Sequence, residues 1–577
     1  MGKCILANAA VWAYAIGSKM RRYAAMKKAL YTIGVDFGTL SARAVVADSR
    51  DGSILASCES AYAHGVLSEA LPDGTPLPPQ WALQVPGDYL ESLTAAVRGA
   101  MAQSGLAADN IAAIGWDFTS CTVLPTDESG TPLCALPGFD SRPHAYCKLW
   151  KHHAAQGQAG RIEALARALD LPFLRRYGGR VSSEWTYPKL LQILEEDPAA
   201  ADETAVFLEA GDWLLWQLTG RLCRNGCAAG FKQFWSADGE TPDDEYLTKL
   251  HPDFPALCRR TLRGEIAAPW EQAGTLTEEW AHRLGLLPGT TVAAGIVDAH
   301  ASVIGGGVRR PGQVLLIVGT SSCQLVVDDR AVSVPGICGY AKDSILPNLY
   351  GYESGQPCVG DLFDWFVRRC VPERYAAEAR EKNCGLHQLL TEKSAALTPG
   401  ESGLVALDWW NGQRSPFVDD DLSGVMLGLT LRTRPEEQYR ALLESCAYGV
   451  RLIFDTYRKA GIHPGEVTVC GGIAQKNPLL MQIYADVLSC PVHVCASDQA
   501  CALGSAILAA AAAGLHPTLP DAMETMAAPT ERTFLPDPGH SAVYDQLYSI
   551  YESTARHFAL QSDALHRLMA LRHGGKR

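Results

Sequence analysis

The sequence predicts an α/β protein built from two related halves. Segments of strand type alternate almost throughout with amphipathic helical segments, the pattern of sheets covered by helices. One short pattern also occurs twice. Gly38-Thr39-x-Ser41 is followed by Val45-Val46-x-Asp48, and Gly319-Thr320-x-Ser322 by Val326-Val327-x-Asp329, at identical spacing. Each copy follows an apolar strand, "YTIGVDF" or "QVLLIVG". Two homologous domains that each aim a strand–turn–strand hairpin at one ligand have this form. A chain of 577 residues is long enough for two such domains and a sizeable core.

Taken in order, residues 1–29 come first. "CILANAAVWAYAIG" falls short of the roughly 18 apolar residues that span a bilayer. With Lys3 ahead of it, it has the look of a signal-peptide apolar region, yet "SKMRRYAAMKK" leads straight into a core strand at Tyr31. The leader is therefore read as carrying no fold, with the native start at Met20 or Met26. "YTIGVDFG" and "ARAVVADSRDGSILASCESAY" read as a run of strands with a turn at Asp51-Gly52. "PGDYLESLTAAVRGAMAQSG" is an amphipathic helix stopping at Gly105, and "GDWLLWQLTGRL" a helix ending at Gly220. "RLGLLPGTTVAAG" places a Pro-Gly turn before a new strand. That divides the chain into an N-terminal domain, 30–287, and a C-terminal domain, 288–577. The closing pattern "PGHSAVYDQLYSIYESTARHFALQSDALHRLM" is a long helix, expected to pack back on the first domain.

Composition excludes several classes of partner. The net charge of −13 disfavours a nucleic acid, which calls for a basic face. No apolar run suits a membrane. The 18 cysteines are scattered, contain no C-x-x-C and come closest at Cys223 and Cys227. This is the usage of reduced thiols in a cytoplasmic protein rather than of disulfides or zinc. His152 and His153 are adjacent, would diverge on a helix and are expected at the surface.

Chemistry concentrates in three places. In "GVDFGTLSAR", Gly38 permits a tight turn that leaves backbone N–H groups for phosphate oxygens. Thr39 and Ser41 add hydroxyl donors, Arg43 a positive fork, and Asp36 a hard oxygen ligand suited to Mg²⁺. Taken alone, the corner fits an ordinary polar hairpin equally well. In "VCGGIAQKNPLL", Gly471-Gly472 form a turn that admits close approach, and Asn477-Pro478 start a helix as cap and first-turn proline. Such an edge accepts a flat base and ribose, or simply connects strand to helix. In "AAGIVDAHAS", Asp298 follows a strand at a helix start, opposite the first hairpin. It suits a proton acceptor or an N-cap.

The ordered set "GVDFGTLSAR", "GWDFTSCTVLP", "KLWKHH", "GIVDAHAS", "GTSSCQ", "DWWNGQRSP" and "CGGIAQKNPLL" resembles the FGGY carbohydrate kinases, over roughly residues 31–560. "KLWKHH" and "DWWNG" point to the branch that phosphorylates L-ribulose. The resemblance implies two actin-like, ribonuclease H-like domains around a central cleft. It implies ATP and Mg²⁺, with Asp298 as catalytic base and Asp36 as metal ligand. Thr39, Ser41 and Arg43 fall in the first phosphate hairpin and Gly319 and Thr320 in the second, while Gly471, Gly472 and Asn477 fall where adenosine lies. Ser120, Lys232, Asp298 and Glu353 fall at the sugar. The implied reaction is phosphorylation of L-ribulose at its C5 hydroxyl in L-arabinose catabolism. The alternatives are another FGGY substrate (xylulose, D-ribulose, ribitol) or an actin-like ATPase without a sugar. A homodimer is left open.

Overall fold

The computed structural model describes residues 30–237 and 241–572; the expectation for the leader, 1–29, lies outside them. The first half is organised on a seven-stranded mixed sheet. Its strands are β1 (Tyr31–Phe37), β2 (Ser41–Asp48), β3 (Ile54–Ala61), β4 (Ile111–Phe118), β5 (Gln272–Thr275), β6 (Thr291–Ala293) and β7 (Ile296–Val297). The order is β5-β6-β4-β1-β2-β3, with β7 also on β4. β1, β2 and β3 form an antiparallel meander whose second turn lies at Asp51-Gly52, as the sequence predicts. Helix α1 (Pro86–Ser104) ends at Gly105 in the left-handed region and covers β2 and β3. A smaller four-stranded sheet, built from Leu83–Gln84, Val123–Thr126, Cys147–Lys148 and Val206–Glu209, extends this half. Further on, α2 (Gly226–Lys232) leads towards the second half.

The second half repeats the plan. Its strands are β8 (Gln313–Val318), β9 (Ser322–Asp328), β10 (Gly339–Lys342), β11 (Tyr350–Gln356), β12 (Glu466–Cys470), β13 (Val492–Cys495) and β14 (Thr530–Phe534), in the order β10-β11-β9-β8-β12-β13-β14. In each sheet one strand pairs antiparallel with its hairpin partner and parallel with a strand from later in the chain: β1 with β2 and β4, β8 with β9 and β12. The duplicated Gly-Thr pattern thus marks two topologically equivalent hairpins.

Two expectations about domain limits are corrected. The sheets change over later than 287/288, because β6 and β7 both lie parallel to β4 in the first sheet. The Pro288-Gly289 turn exists, with the Gly289 N–H donating to Leu276 O at 3.0 Å. It ends an element, however, not a sheet. The long terminal helix, Pro538–Leu560, packs on the second half. Its Tyr544, Tyr548 and Tyr551 join the core around the buried helix Pro435–Lys459. Hydroxyl pairings with Glu444, Asp455 and Asp408 hold it there.

His152 also departs from expectation. It is fully buried, with Nε2 3.0 Å from Gln192 Oε1 and its ring edge-on to Trp81, while His153 is exposed. The segment is not helical, so the two side chains diverge into core and solvent. Among the described residues the cysteines are unpaired and only Cys370 is exposed. No described helix is long and apolar enough to cross a membrane.

The halves are joined by two helices lying between the sheets: α3 (Asp298–Gly305) and α4 (Ala500–Ala512). Although α4 comes late in the chain, it lies on β1 and β4 of the first sheet. The approach is backbone to backbone. A Cβ placed on Gly34 of β1 would lie 1.9 Å from Ala502 O, and one on Gly115 of β4 2.6 Å from Ser505 O. The α3–α4 crossing is equally close, since a Cβ on Gly504 would stand 2.0 Å from Ala301 O and one on Gly305 2.0 Å from Ala500 O. Gly504→Ala should therefore force the two helices apart. Overpacking of this kind costs about 1–3 kcal/mol, so the melting temperature should fall by several degrees. Gly160→Ala, on an exposed helical position with nothing within 4 Å, should be neutral or mildly stabilising. Thermal melts of the two variants side by side check the assignment; equal midpoints would contradict it.

Candidate functional site

The contact between α4 and the first sheet gathers acidic side chains. Asp36 lies near the end of β1, and the parallel register with β4 sets Asp117 directly beside it. From above, Ser505 of α4 donates its hydroxyl to Asp117 Oδ2 at 2.7 Å. Burial raises the carboxyl of Asp117 well above its ordinary range, and the neighbouring Asp36 adds to this. Asp36 is raised too, chiefly by burial, with Asp117 and Arg43 pulling it back. Of the two, Asp117 has the higher proton affinity, because it is the more deeply buried. Oxygen atoms of Asp36 and Asp117 and Sγ of Cys501 lie within 4.8 Å of one another. Asp117 Oδ1 is buried without a hydrogen-bond partner. Two hard carboxylates with an unsatisfied buried oxygen fit a magnesium ion; the thiol does not. Sequence reasoning missed Asp117. The available signal was an acid inside an otherwise apolar strand, where Asp is almost never fully buried without a reason.

Asp298 is the first residue of α3. Because β7 pairs with β4 (Ile296 opposite Asp117, Val297 opposite Phe118), Asp298 emerges from the same sheet as Asp36, not from the second sheet opposite it. Its Oδ1 accepts the Ala299 N–H at 2.7 Å, and Val297 occupies the N-cap position, so it is no N-cap. Burial pushes its carboxyl up to about 7, with Asp36 and Glu353 adding to the shift and Lys232 opposing it.

The sugar residues named by sequence pattern come together in part. Lys232 closes α2, and its ammonium reaches across to Glu353 on β11, 3.1 and 2.8 Å from the two carboxylate oxygens. Burial works against the Lys232 charge, but Glu353 more than offsets it and holds the ammonium above its ordinary range. Glu353 is likewise lowered despite burial, chiefly by Lys232. His300 stacks on Phe231 at 4.4 Å and is pushed down to about 4 by burial, so it stays neutral. Ser120 is half-buried in the turn after β4. The adjacent Cys121 carbonyl is fixed by buried Lys189, whose Nζ also donates to Leu149 O. Lys189 is a second residue that sequence reasoning passed over.

The hairpins differ in detail from expectation. The Gly38 N–H donates to Ser41 O, and the Gly319 N–H to Ser321 O. Both glycine donors close their own turns, which leaves the following residues to meet a ligand. The Thr39 carbonyl accepts from Gln84 and its hydroxyl oxygen from Trp150 Nε1 at 3.2 Å, so its hydroxyl proton points elsewhere. Ser41 and Arg43 are both bound to Glu59 on β3, at 2.7 and 2.6 Å. In the second hairpin, Gly319 O and Thr320 O accept from Gly360 and Val359, so residues 359–360 brace the turn. Gly471 has φ 103°, and a Cβ there would lie 2.4 Å from Val318 O; this position requires glycine. Space above Gly472 is open within 4 Å. Asn477 caps a helix by accepting the Leu480 N–H at 3.0 Å, which occupies its side-chain oxygen.

The chain matches the FGGY family of carbohydrate kinases with both domains: the N-terminal domain over residues 31–305 and the C-terminal domain over 314–513. It is 45% identical over 538 residues to a ribulokinase of Bacillus licheniformis, covering 92% of this chain and 98% of that protein. It is 46% identical over 552 residues to a ribulokinase of Shouchella clausii, covering 95% and 98%. The crystal structure of xylulose kinase from Rhodospirillum rubrum superposes with a TM-score of 0.75 at 25% identity, covering 93% of this chain and 99% of that one. Two domain matches in sequence, with the same two-sheet architecture, show that the chain belongs to the FGGY family of carbohydrate kinases.

Proposed function

We propose that the chain transfers the γ-phosphoryl group of MgATP to the C5 hydroxyl of L-ribulose, giving L-ribulose 5-phosphate and ADP, in L-arabinose catabolism. The observation that carries this reading is the convergence of a half-buried carboxyl shifted to about 7, Asp298, with the Asp36–Asp117 pair and the Lys232–Glu353 pair. Similarity to ribulokinases at 45–46% identity supports the choice of sugar. The absence of disulfides among the described residues accords with a cytoplasmic setting.

In this reading Lys232 and Glu353 orient the ketose by its hydroxyls, beside the half-buried turn at Ser120. Asp298 accepts the C5 hydroxyl proton as that oxygen attacks the γ-phosphorus and the bond to the β-phosphate bridging oxygen breaks. A carboxyl near 7 is matched to that task at neutral pH. Thr39, with its hydroxyl already oriented by Trp150, donates to the phosphoryl oxygens together with backbone groups at Thr320. Arg43, Gly471, Gly472 and the neighbourhood of Asn477 serve the remainder of the nucleotide. Asp36, with Asp117 beside it, would hold Mg²⁺, which when bound neutralises phosphate charge. Catalysis then consists mainly of positioning and charge stabilisation.

Asp298→Asn keeps the shape but removes the proton acceptor. General-base catalysis supplies about 10²–10⁴-fold in rate, so kcat should drop by that order while calorimetry still detects sugar binding. A variant retaining more than about a tenth of wild-type kcat would assign the proton to another group. Asp36→Asn should instead recover part of its lost kcat as Mg²⁺ is raised. A coupled ADP-release assay over L-ribulose, D-ribulose, xylulose and ribitol should rank L-ribulose first; preference for another sugar would reassign the substrate within the family.

The same carboxyl predicts a pH effect on stability. Asp298 titrates near 7 in the folded chain and near 3.9 when unfolded. Between those values the native state holds a proton that the unfolded state has released. Stability from this group is therefore lost as pH rises from about 4 to about 7, and is constant beyond. In Mg²⁺-free buffer, Asp298→Asn should lessen the fall in melting temperature between pH 5 and pH 8. Parallel curves for variant and wild type would show that Asp298 is not buried as described.

A further inference from the structure

Arg414, in the "DWWNGQRSP" segment, is an exposed cation on a rigid base. Its neighbours Gln413 and Ser415 are only 4% and 1% exposed, and Trp409 is fully buried. Gln413 exchanges two backbone hydrogen bonds with Asp419, at 2.9 and 2.8 Å, and its side-chain oxygen accepts the Phe417 N–H at 2.8 Å. From the first half, Arg180 donates to Val418 O at 3.1 Å, so this loop sits where the two halves meet. The loop is thus held on both sides of a single guanidinium. Among the described residues Arg414 has no hydrogen-bond or ion-pair partner.

Its position is informative. A Cβ placed on Gly355 would lie 3.4 Å from Arg414 Cδ and 3.5 Å from Nη1. The side chain therefore lies across Gly355, two residues from Glu353 on β11 and on the same strand face. The groups acting on Arg414 are Cys338, Glu184, Cys323 and Glu353, whereas those acting on Asp298 are Asp36, Glu353 and Lys232. Glu353 is the shared neighbour, so the groups run from Asp36 and Asp298, through Lys232 and Glu353, to Arg414. Both oxygens of Glu353 are engaged by Lys232, so they do not satisfy the guanidinium. A planar group with five donors and no partner is built to meet acceptor oxygens.

We propose that Arg414 is a specificity-determining residue, donating to oxygens of an open-chain polyhydroxy ketone at the end remote from the hydroxyl that accepts the phosphoryl group. This rests on the reading of Lys232 and Glu353 as the sugar site. Gly355 keeps this strand face low where the arginine crosses it, and its own Cβ position is closed by Ser322 O, 2.8 Å away.

The experiment compares Arg414→Met, Arg414→Lys and Lys232→Met in the full chain. Sugar and ATP are varied separately, and L-ribulose binding is measured by calorimetry without nucleotide. A lost hydrogen bond from a charged donor is worth on the order of tenfold to a hundredfold in affinity. Arg414→Met should raise the KM and Kd for L-ribulose by that factor, flatten the preference among ketopentose isomers and leave the KM for ATP within about twofold. Arg414→Lys should recover part of the affinity but not the discrimination, since a point charge replaces a fork. An unchanged sugar KM in both arginine variants overturns the proposal. So does a rise confined to the KM for ATP or a fall confined to kcat, which would place the guanidinium on phosphate. Lys232→Met separates the two readings: if it leaves sugar binding untouched, the sugar site itself is misplaced, whatever the arginine variants show.

Discussion

The site depends on how closely α4 can lie on the first sheet. Side chains normally hold a helix away from the backbone of a sheet, but Gly34 and Gly115 remove that spacing beneath α4, and Gly305 and Gly504 remove it where α3 crosses. Three consequences follow from this one contact. Ser505 comes within hydrogen-bonding distance of Asp117, the carboxyl of Asp117 is sealed from water beside half-buried Asp36, and α3 is fixed with Asp298 at its first turn. A side chain at any of the four glycines acts on all three together.

Burial is then balanced differently on the two sides of the cleft. On one side it is left uncompensated: three carboxyls lie close together, and their proton affinities rise. On the other side Lys232 and Glu353 pair, and both remain charged in spite of burial. The burial of free charge lowers stability, which the large apolar core around α3 and α4 offsets.

Much of this was legible in the sequence, and the exceptions share a cause. Periodicity gave β1 to β3, α1 and the Gly105 and Gly220 stops because those signals are local. The duplicated Gly-Thr turn revealed two equivalent halves because equal spacing survives divergence. The domain limit was misplaced because a Pro-Gly turn reports the end of an element, while membership of a sheet is decided by pairing with β4, far away in sequence. His152 and the terminal helix were misassigned for the same reason: their burial is set by Trp81, Gln192 and the Pro435–Lys459 helix. Asp117 and Lys189 escaped notice because each looks ordinary in sequence. The importance of each comes from its neighbours, Asp36 and Ser505 in one case and the carbonyls of Cys121 and Leu149 in the other.

The late position of α4 has a consequence for biosynthesis. The strands carrying Asp36 and Asp117, and the strand leading into Asp298, leave the ribosome first, but the helix that covers their glycine face is encoded some 200 residues after Asp298. Through that interval the nascent chain presents an apolar sheet surface, lined by Val45, Ala47 and Ile296, with no helix against it. Vectorial folding of the first half therefore stalls short of completion, and the interval is when the chain most needs chaperone shielding against misassociation. The two halves of the sequence are duplicated in plan, but the first takes the cover for its sheet from the second.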